Sequence, residues 1–271
     1  MTRRIFVLLL VLILGLVLVT PAMAISYGEP DGDDHPNVGS MVVRVPNEGL
    51  FQICSGTLIS ENVFLTSAHC SVWEDYFEGI PGVELLVTFD PTISESGTFY
   101  TGVWYAHPKY TSFKGKLGMS DPHDVAVIVL DESPGITPAR LPEAGLLDEL
   151  KHSGVLKNTN FTAVGYGTVR DTNRTGMAGI LANLDRNRAE QGFLSLTDAW
   201  ITMPMNLATD NGGTCYGDSG GPHFIHMNGI ETNIVVSVTV TGDYPCVATD
   251  RTYRIDTESA RSFLAEFVDL P

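Results

Sequence analysis

Residues 39–66 read GSMVVRVPNEGLFQICSGTLISENVFLT, and they hold three short apolar runs, Gly39–Val45, Gln52–Ser60 and Val63–Thr66. Each run is rich in Val, Ile, Thr or aromatic residues and is bounded by Pro, Asn, Gly or Ser, so each reads as a strand ending in a turn. The same pattern continues outward through Val83–Phe89, Gly97–Trp104, Val125–Leu130, Phe161–Val164, Ala199–Met203, Pro222–Ile225 and Ile234–Val240. Regular spacing with no helical segment between most of these runs points to an all-β protein. Its antiparallel sheets would close into sandwiches or barrels rather than form a parallel doubly wound sheet.

Residues 131–150, DESPGITPARLPEAGLLDEL, hold three Pro and two Gly with weak periodicity and suit a surface connector between two halves. The polar stretch Val169–Gln191 reads as loop with at most one helical turn. One helix is expected at the end, where Asp256 or Thr257 can cap and Ala260, Phe263, Leu264, Phe267 and Val268 recur at helical spacing. Its apolar stripe is expected to pack against the second half.

A chain of 271 residues with 44% hydrophobic and 18% charged residues, 27 Gly and 15 Pro is neither coiled coil nor disordered. It is long enough for one large core or two modest ones. Its formal charge of −16 repels phosphate backbones and anionic lipid, which argues against nucleic-acid and membrane-surface partners.

Arg3 and Arg4 precede an apolar run, Ile5–Val19, followed by Thr20, Pro21 and the small-x-small triplet Ala22-Met23-Ala24. The run falls short of the ~20 residues a spanning helix needs. Residues 1–24 therefore read as a signal peptide cleaved after Ala24, and the mature protein as secreted, extracellular and monomeric. In an oxidising compartment Cys54, Cys70, Cys215 and Cys246 are better read as two disulfides than as thiol catalysts or a metal cage. Three pairings are open. Joining neighbours, 54 with 70 and 215 with 246, would close two moderate loops, each contributing roughly 3 to 4 kcal/mol.

Gly217-Asp218-Ser219-Gly220-Gly221-Pro222 carries the sharpest chemistry. A serine flanked by glycines can sit on a tight turn with its hydroxyl exposed and backbone N–H groups beside it, as acyl transfer requires. Ser219 would attack a carbonyl, and the N–H groups of Gly217 and Ser219 would hold the developing oxyanion. Thr66-Ser67-Ala68-His69-Cys70 supplies a base held between a strand end and a half-cystine. Asp124, at the mouth of the Val125–Leu130 run, supplies a carboxylate to orient that imidazole.

Together these residues resemble the trypsin-like (chymotrypsin-fold) serine proteases: TSAHC corresponds to the family's His motif, DVAV to its Asp motif and GDSGGP to its Ser motif. His107-Pro108-Lys109-Tyr110 and Val164-Gly165-Tyr166-Gly167 fit as weaker marks, and the resemblance spans essentially the whole mature chain. It implies two packed six-stranded antiparallel barrels, 25–135 with His69 and Asp124 and 136–256 with Ser219, followed by a C-terminal helix at 257–271. It also implies the two neighbour disulfides, no cofactor, and protein or peptide substrates. GDSGG satisfies G-x-S-x-G as well, but an α/β-hydrolase runs Ser, acid, His, whereas here the His and Asp come first. The alternative from another class is a catalytically silent family member serving as a binding or adhesion module. Such proteins usually lose a triad residue or a loop glycine, and this chain has lost neither.

The family's activation chemistry implies an ion pair between a new N-terminal Ile or Val and the Asp before the nucleophile. Here these are Ile25, in Ile25-Ser26-Tyr27-Gly28-Glu29, and Asp218. Ile25 follows the expected cleavage site directly, so signal peptidase itself would create the activating terminus. The specificity pocket implied by the resemblance comprises Gly213 at its floor, Thr214 and Ser237. Ser237-Val238-Thr239 and Thr239-Val240-Thr241 are rival registers for its wall. Gly213 replaces the Asp of trypsin-like enzymes, which argues against Arg/Lys cleavage by the usual route. Asp243, Asp250 and Arg251 could still bring charge to the pocket, although surface-loop roles suit them better.

The remaining histidines lack metal-ligand spacing, and His223-x-x-His226 sits on a strand. Glu74, Asp75, Glu78 and Glu84 do not form an EF-hand loop, so no metal is expected. Asn160-Phe161-Thr162 and Asn173-Arg174-Thr175 are sequons, meaningful only in a eukaryotic secretory host. Trp73, Trp104 and Trp200 read as packing residues.

Overall fold

The computed structural model describes residues 25–77, 79–111, 120–170, 172 and 176–271. The expected signal peptide and the sequon at Asn173 lie outside the described residues. The first strands are β1 (Glu29–Pro30), β2 (Val38–Val45), β3 (Gly49–Leu58), β4 (Val63–Thr66), β5 (Glu84–Thr88), β6 (Gly102–Ala106) and β7 (Ala126–Leu130). The second group is β8 (Phe161–Gly165), β9 (Asn187–Gln191), β10 (Ser195–Leu196), β11 (Trp200–Pro204), β12 (Pro222–Met227), β13 (Ile230–Gly242) and β14 (Thr249–Arg254). Three short α-helices accompany them among the described residues: α1 (Val72–Phe77), α2 (Leu146–His152) and α3 (Glu258–Leu264).

One antiparallel sheet runs β5-β2-β3-β4-β7-β6. Its edges meet where Val87 of β5 and Tyr100, just before β6, exchange backbone hydrogen bonds of 2.9 and 2.8 Å. The other runs β1-β9-β8-β12-β13-β14-β11-β10. Only residues 192–194 separate β9 from β10, so the two act as one bent strand that pairs with β8 at one end and β11 at the other. Six long strands then close the second sheet, with β1 added on β9.

Strand alternation sorts the core into layers. Met41, Phe64 and Ile128 fill the interior of the first sheet, while their neighbours Val42, Leu65 and Val127 face the second sheet. Phe224, Val235 and Val238 meet them from that side, and Ile225 and Val236 fill the second interior with Leu147, Phe161 and Ile201. The middle cluster thus joins the sheets face to face.

Several elements depart from the sequence reading. β9 falls in the expected loop and β14 in a stretch with no strand signal. Their letters, NRAEQ and TDRTYR, are polar, yet Asn187, Gln191, Asp250, Thr252 and Arg254 are buried because tertiary partners receive them. α2 begins in the expected connector. Leu147 anchors it in the second core, and the Asp256 carboxylate accepts the Leu147 N–H at 2.8 Å. The C-terminal helix α3 is capped by the Thr257 hydroxyl, which accepts from the Ala260 N–H at 3.3 Å. Its stripe does not pack against the second half alone: Phe263 meets His107, just after β6, at 5.3 Å and Phe267 meets Tyr105 of β6 at 5.1 Å between ring centroids. No described helix is long and apolar enough to cross a membrane.

A buried polar cluster ties the N-terminal segment to the second sheet. Arg186, 1% exposed, donates to Asp31 (2.8 Å), the carbonyls of Gly32 (2.6 Å), Val38 (3.2 Å) and Phe89 (3.0 Å), and the Tyr166 hydroxyl (3.1 Å). Nearby, His35 holds Asp31 through Nδ1 and Glu231 through Nε2 at 2.8 Å. Burial alone would lower the His35 pKa, but the bonds to Asp31 and Glu231 outweigh it and push it up to about 9. A histidine raised in the folded state stabilises fully below its unfolded pKa and loses that contribution as pH rises through 9. The contribution is on the order of 3 kcal/mol. The melting temperature is therefore expected to fall by roughly 5–10 °C between pH 7 and 10. His35→Gln should flatten that slope in calorimetry, and an unchanged slope would dismiss the assignment.

Candidate active site

β4 ends at Thr66, and the chain tightens at once into a 3-10 turn, Ala68–Ser71, that presents His69. Two bonds fix the residue to Asp124: its backbone N–H donates to Oδ1 (2.8 Å) and its Nδ1 lies 2.9 Å from Oδ2. Asp124 is fully buried immediately before β7, whereas the His69 side chain keeps 23% of its surface exposed. An ionised carboxylate only accepts, so Nδ1 carries the proton and the Nε2 lone pair is left for another partner.

Cys54 of β3 is bridged to Cys70, and Cys215 to Cys246. The ligand atoms of Cys54, His69 and Cys70 gather within 4.8 Å of one another, the one such His/Cys/acid group among the described residues. Its sulfurs are bonded to each other, so no thiolate is offered to a metal. Glu84 pairs with Arg44 at 2.8 Å on the surface. The side chains of Glu74, Asp75 and Glu78 lie outside the described ones.

The loop bearing Ser219 is seated on the same ground. The Ser219 carbonyl accepts the Ser55 N–H at 2.8 Å and lies 3.8 Å from Cys70 Sγ, next in the chain to His69. The Thr239 carbonyl accepts both the Gly220 N–H (2.8 Å) and the Ser67 hydroxyl (2.7 Å), so the histidine turn and the serine loop share one acceptor. Gly217, at φ +95°, has its carbonyl held by Gln52 Nε2 (2.7 Å) and Ser55 Oγ (3.1 Å). Gln52 and Ser55 went unremarked in the sequence because nothing local marks them; only their position flanking Cys54 on β3 brings them to the loop.

Asp218 is fully buried and accepts N–H bonds from Gly167 (2.7 Å) and Cys215 (2.9 Å). Burial outweighs both bonds and raises its pKa to about 7. Ile25 is also fully buried, and Ser26 exchanges backbone bonds of 3.1 and 2.9 Å with Gly213. In the full-length chain the Ile25 nitrogen is an amide joined to Ala24 and carries no charge.

Around Gly213, the Thr214 N–H donates to Asp250 Oδ2 at 3.3 Å. Ser237 is buried and takes the Thr252 hydroxyl at 2.8 Å. The three charges near Cys246 part company. Asp243 caps the N–H groups of Val247, Ala248 and Thr249 at 3.0, 2.8 and 2.6 Å, and Arg251 lies over the Trp200 ring at 4.2 Å. Asp250, 1% exposed on β14, sits against Thr214 rather than in a surface loop. The two strand histidines have separate partners, His223 with Asp250 (3.1 Å) and His226 with the Thr162 hydroxyl (2.8 Å).

A sequence profile of the trypsin family matches residues 31–263, from the N-terminal segment into α3. The chain belongs to the trypsin family. Similarity to individual members is modest and extends over most of both chains. Brachyurin of Leptuca pugilator is 28% identical over 212 residues, 75% of this chain and 84% of the relative. Trypsin of Saccharopolyspora erythraea is 28% identical over 221 residues, 78% and 82% of the two chains. Human chymotrypsin-like elastase family member 1 is 26% identical over 187 residues, 66% and 67%. This trypsin-family protein is a serine endopeptidase, a hydrolase of protein substrates.

Proposed function

We propose that the protein is a secreted, monomeric endopeptidase that cleaves through an acyl-enzyme, with Ser219 as nucleophile, His69 as general base and then acid, and Asp124 as orienting carboxylate. The observation that carries this reading is the double hold of Asp124 on His69, at 2.8 and 2.9 Å, beside the disulfide that touches the Ser219 backbone. His69 Nε2 takes the Ser219 hydroxyl proton as Oγ attacks the substrate carbonyl. The N–H groups of Gly217 and Ser219 receive the oxyanion, and His69 returns the proton to the leaving amine. A water activated by the same imidazole then releases the acyl group. On this reading the unit 25–135 contributes His69 and Asp124, 136–256 contributes Ser219 with the pocket of Gly213, Thr214 and Ser237, and 257–271 closes the chain. A fluorophosphonate probe should label the wild type and leave Ser219→Ala unlabelled. Absence of labelling in both would favour a binding or adhesion module instead.

Activation follows from cleavage after Ala24, which turns the Ile25 nitrogen into an ammonium able to pair with Asp218. Support comes from the buried seat of Ile25 and from a buried carboxylate served only by amides among its described contacts. Because the Asp218 pKa is raised from 3.8 to about 7, folding of the uncleaved chain weakens as pH rises through that interval. The processed chain should escape this loss. N-terminal sequencing should find Ile25 first, and a variant beginning Ala-Ile25 should lose at least about tenfold in kcat/KM because its ammonium is displaced. Full activity from the displaced start would end the idea.

Gln52 is a positioning residue in this scheme. Its amide and the Ser55 hydroxyl hold the Gly217 carbonyl, limiting the rotation of a glycine whose N–H must meet the oxyanion. Gln52→Ala should lower kcat roughly tenfold with little change in KM or melting temperature. A parallel rise in KM would indicate a merely structural role.

A further inference from the structure

His107 and His123 face each other beside Asp124. Their rings stack with centroids 4.7 Å apart and planes 13° from parallel. His107, 7% exposed just after β6, donates its backbone N–H to the Val125 carbonyl (3.0 Å), and its Nδ1 accepts the Lys109 N–H (3.1 Å). Its proton therefore sits on Nε2, and a second could enter only at Nδ1, where it would break the bond to Lys109. His123 Nδ1 bonds the Ser259 hydroxyl of α3 at 2.8 Å and lies 3.4 Å from Asp121 Oδ1.

The backbone ties this pair to Asp124. His123 sits at φ +53°, a left-handed conformation that costs energy in any residue with a Cβ. Its carbonyl accepts the Val125 N–H at 3.0 Å, closing a tight turn whose middle residue is Asp124. The Asp124 carboxylate in turn holds the His69 N–H and Nδ1 at 2.8 and 2.9 Å. A displacement of His123 thus reaches His69 through a single residue.

The surroundings accommodate one proton beyond the neutral pair, and not two. Among the described residues Asp121 is the one carboxylate within ion-pair reach of either ring, and it also accepts the Tyr253 hydroxyl and the His123 N–H, both at 2.9 Å. Asp124 is committed to His69. Glu258 in α3 and Glu266 just beyond it line the adjoining cavity of about 390 Å³ without pairing with either ring, and Lys109 adds a positive charge there. Phe263 covers His107 at 5.3 Å. Burial, and after it the neighbouring His123, hold the His107 imidazole below the ordinary histidine value. Two imidazolium rings stacked at this separation would repel each other.

Resting on the endopeptidase reading above, we infer that His123 is a positioning residue for Asp124, and that a second proton on the His107–His123 stack forces the rings apart and draws Asp124 away from His69. His107 is anchored by its backbone bond to Val125, so the strained His123 is the partner that yields. Acid then silences the enzyme twice, once at His69 and once at the stack.

The rate of fluorophosphonate labelling, followed from pH 8 to 4, tests this without requiring a known substrate. Protonation of His69 alone gives a slope of one on the acid limb, whereas the wild type should steepen toward two below roughly pH 6. His123→Asn tolerates the positive φ and keeps a polar group near Ser259, and His107→Phe keeps a ring in the stack. Each should return the slope to one with a pH 8 rate within about threefold of wild type. A merely structural role would lower the rate at every pH and leave the steepness unchanged. A slope of one in the wild type, or a limb equally steep in both variants, would overturn the inference. NMR titration of Ser219→Ala supplies a readout independent of activity: the His107 ring should titrate below the ordinary histidine range, and upward of that once His123→Asn is added. Failure of the His107 titration to move would also overturn it. Absence of labelling at every pH would count against the endopeptidase reading, while the NMR titration would still decide whether the two rings share their protons.

Discussion

Ser219→Ala is expected to lower kcat/KM by roughly ten-thousand- to million-fold, because the substitution removes the hydroxyl proposed to form the acyl bond. The fold should not notice. Ser219 is half-buried, and its backbone carbonyl ties it to the first sheet, accepting the Ser55 N–H at 2.8 Å and lying 3.8 Å from Cys70 Sγ. Alanine keeps both. A melting temperature within about 1–2 °C of wild type, beside the collapse in rate, would separate lost chemistry from lost structure. What activity remains would come from the oxyanion-binding amides and from substrate positioning. A variant retaining a tenth of the wild-type rate would remove Ser219 from the mechanism.

Gly220→Ala should be almost as damaging by the opposite route. A Cβ at this residue would lie 2.0 Å from Thr66 Oγ1, 2.5 Å from the Ser55 carbonyl and 2.8 Å from the Ser67 nitrogen, and the residue sits at φ +81°. Two of those neighbours are backbone, the Ser55 carbonyl of β3 and the Ser67 nitrogen just before the His69 turn, so they have little freedom to move. The methyl group must drive the serine loop away from the first sheet, breaking the shared Thr239 acceptor as it goes. A cost of at least about 3 kcal/mol is expected, with a fall in melting temperature of roughly 10 °C. Any folded fraction should also be catalytically poor, since Ser219 and His69 would no longer be seated together. Wild-type thermal stability in this variant would show that the loop does not dock as described.

On the proposed reading, the motifs of Ser219, His69 and Asp124 are legible because acyl transfer would make local demands: a glycine-flanked serine, a histidine at a strand end, and an aspartate before an apolar run each leave a short signature. The strands with alternating apolar residues were legible for the same reason, since burial of one face is written every second position. β9 and β14 were not, because much of their buried face is polar and its partners are distant in the chain, Gln191 meeting Asp250 59 residues on and Arg254 meeting Asp148 106 residues back. Asp250 was named in the sequence beside Asp243 and Arg251 as a charge near Cys246, with a surface-loop role preferred. Its burial depends on Gln191, Thr214 and His223 converging from separate segments, which no local pattern records. α2 was hidden by Pro and Gly on its N-terminal side, although Leu146, Leu147 and Leu150 supply the stripe that holds it.

Arg186 has a consequence for how the molecule comes apart. Its guanidinium belongs to the second half of the chain, yet it satisfies the carbonyls of Val38 and Phe89 and the carboxylate of Asp31 in the first. Pulling the halves apart would strand a cation, an anion and two carbonyls at once, so neither half has an inexpensive way to melt by itself. A peptide bond cut in the exposed stretch around 132–138, by a neighbouring copy of the enzyme for instance, would therefore yield two fragments that stay clasped, and self-digestion would begin as a scar rather than a collapse.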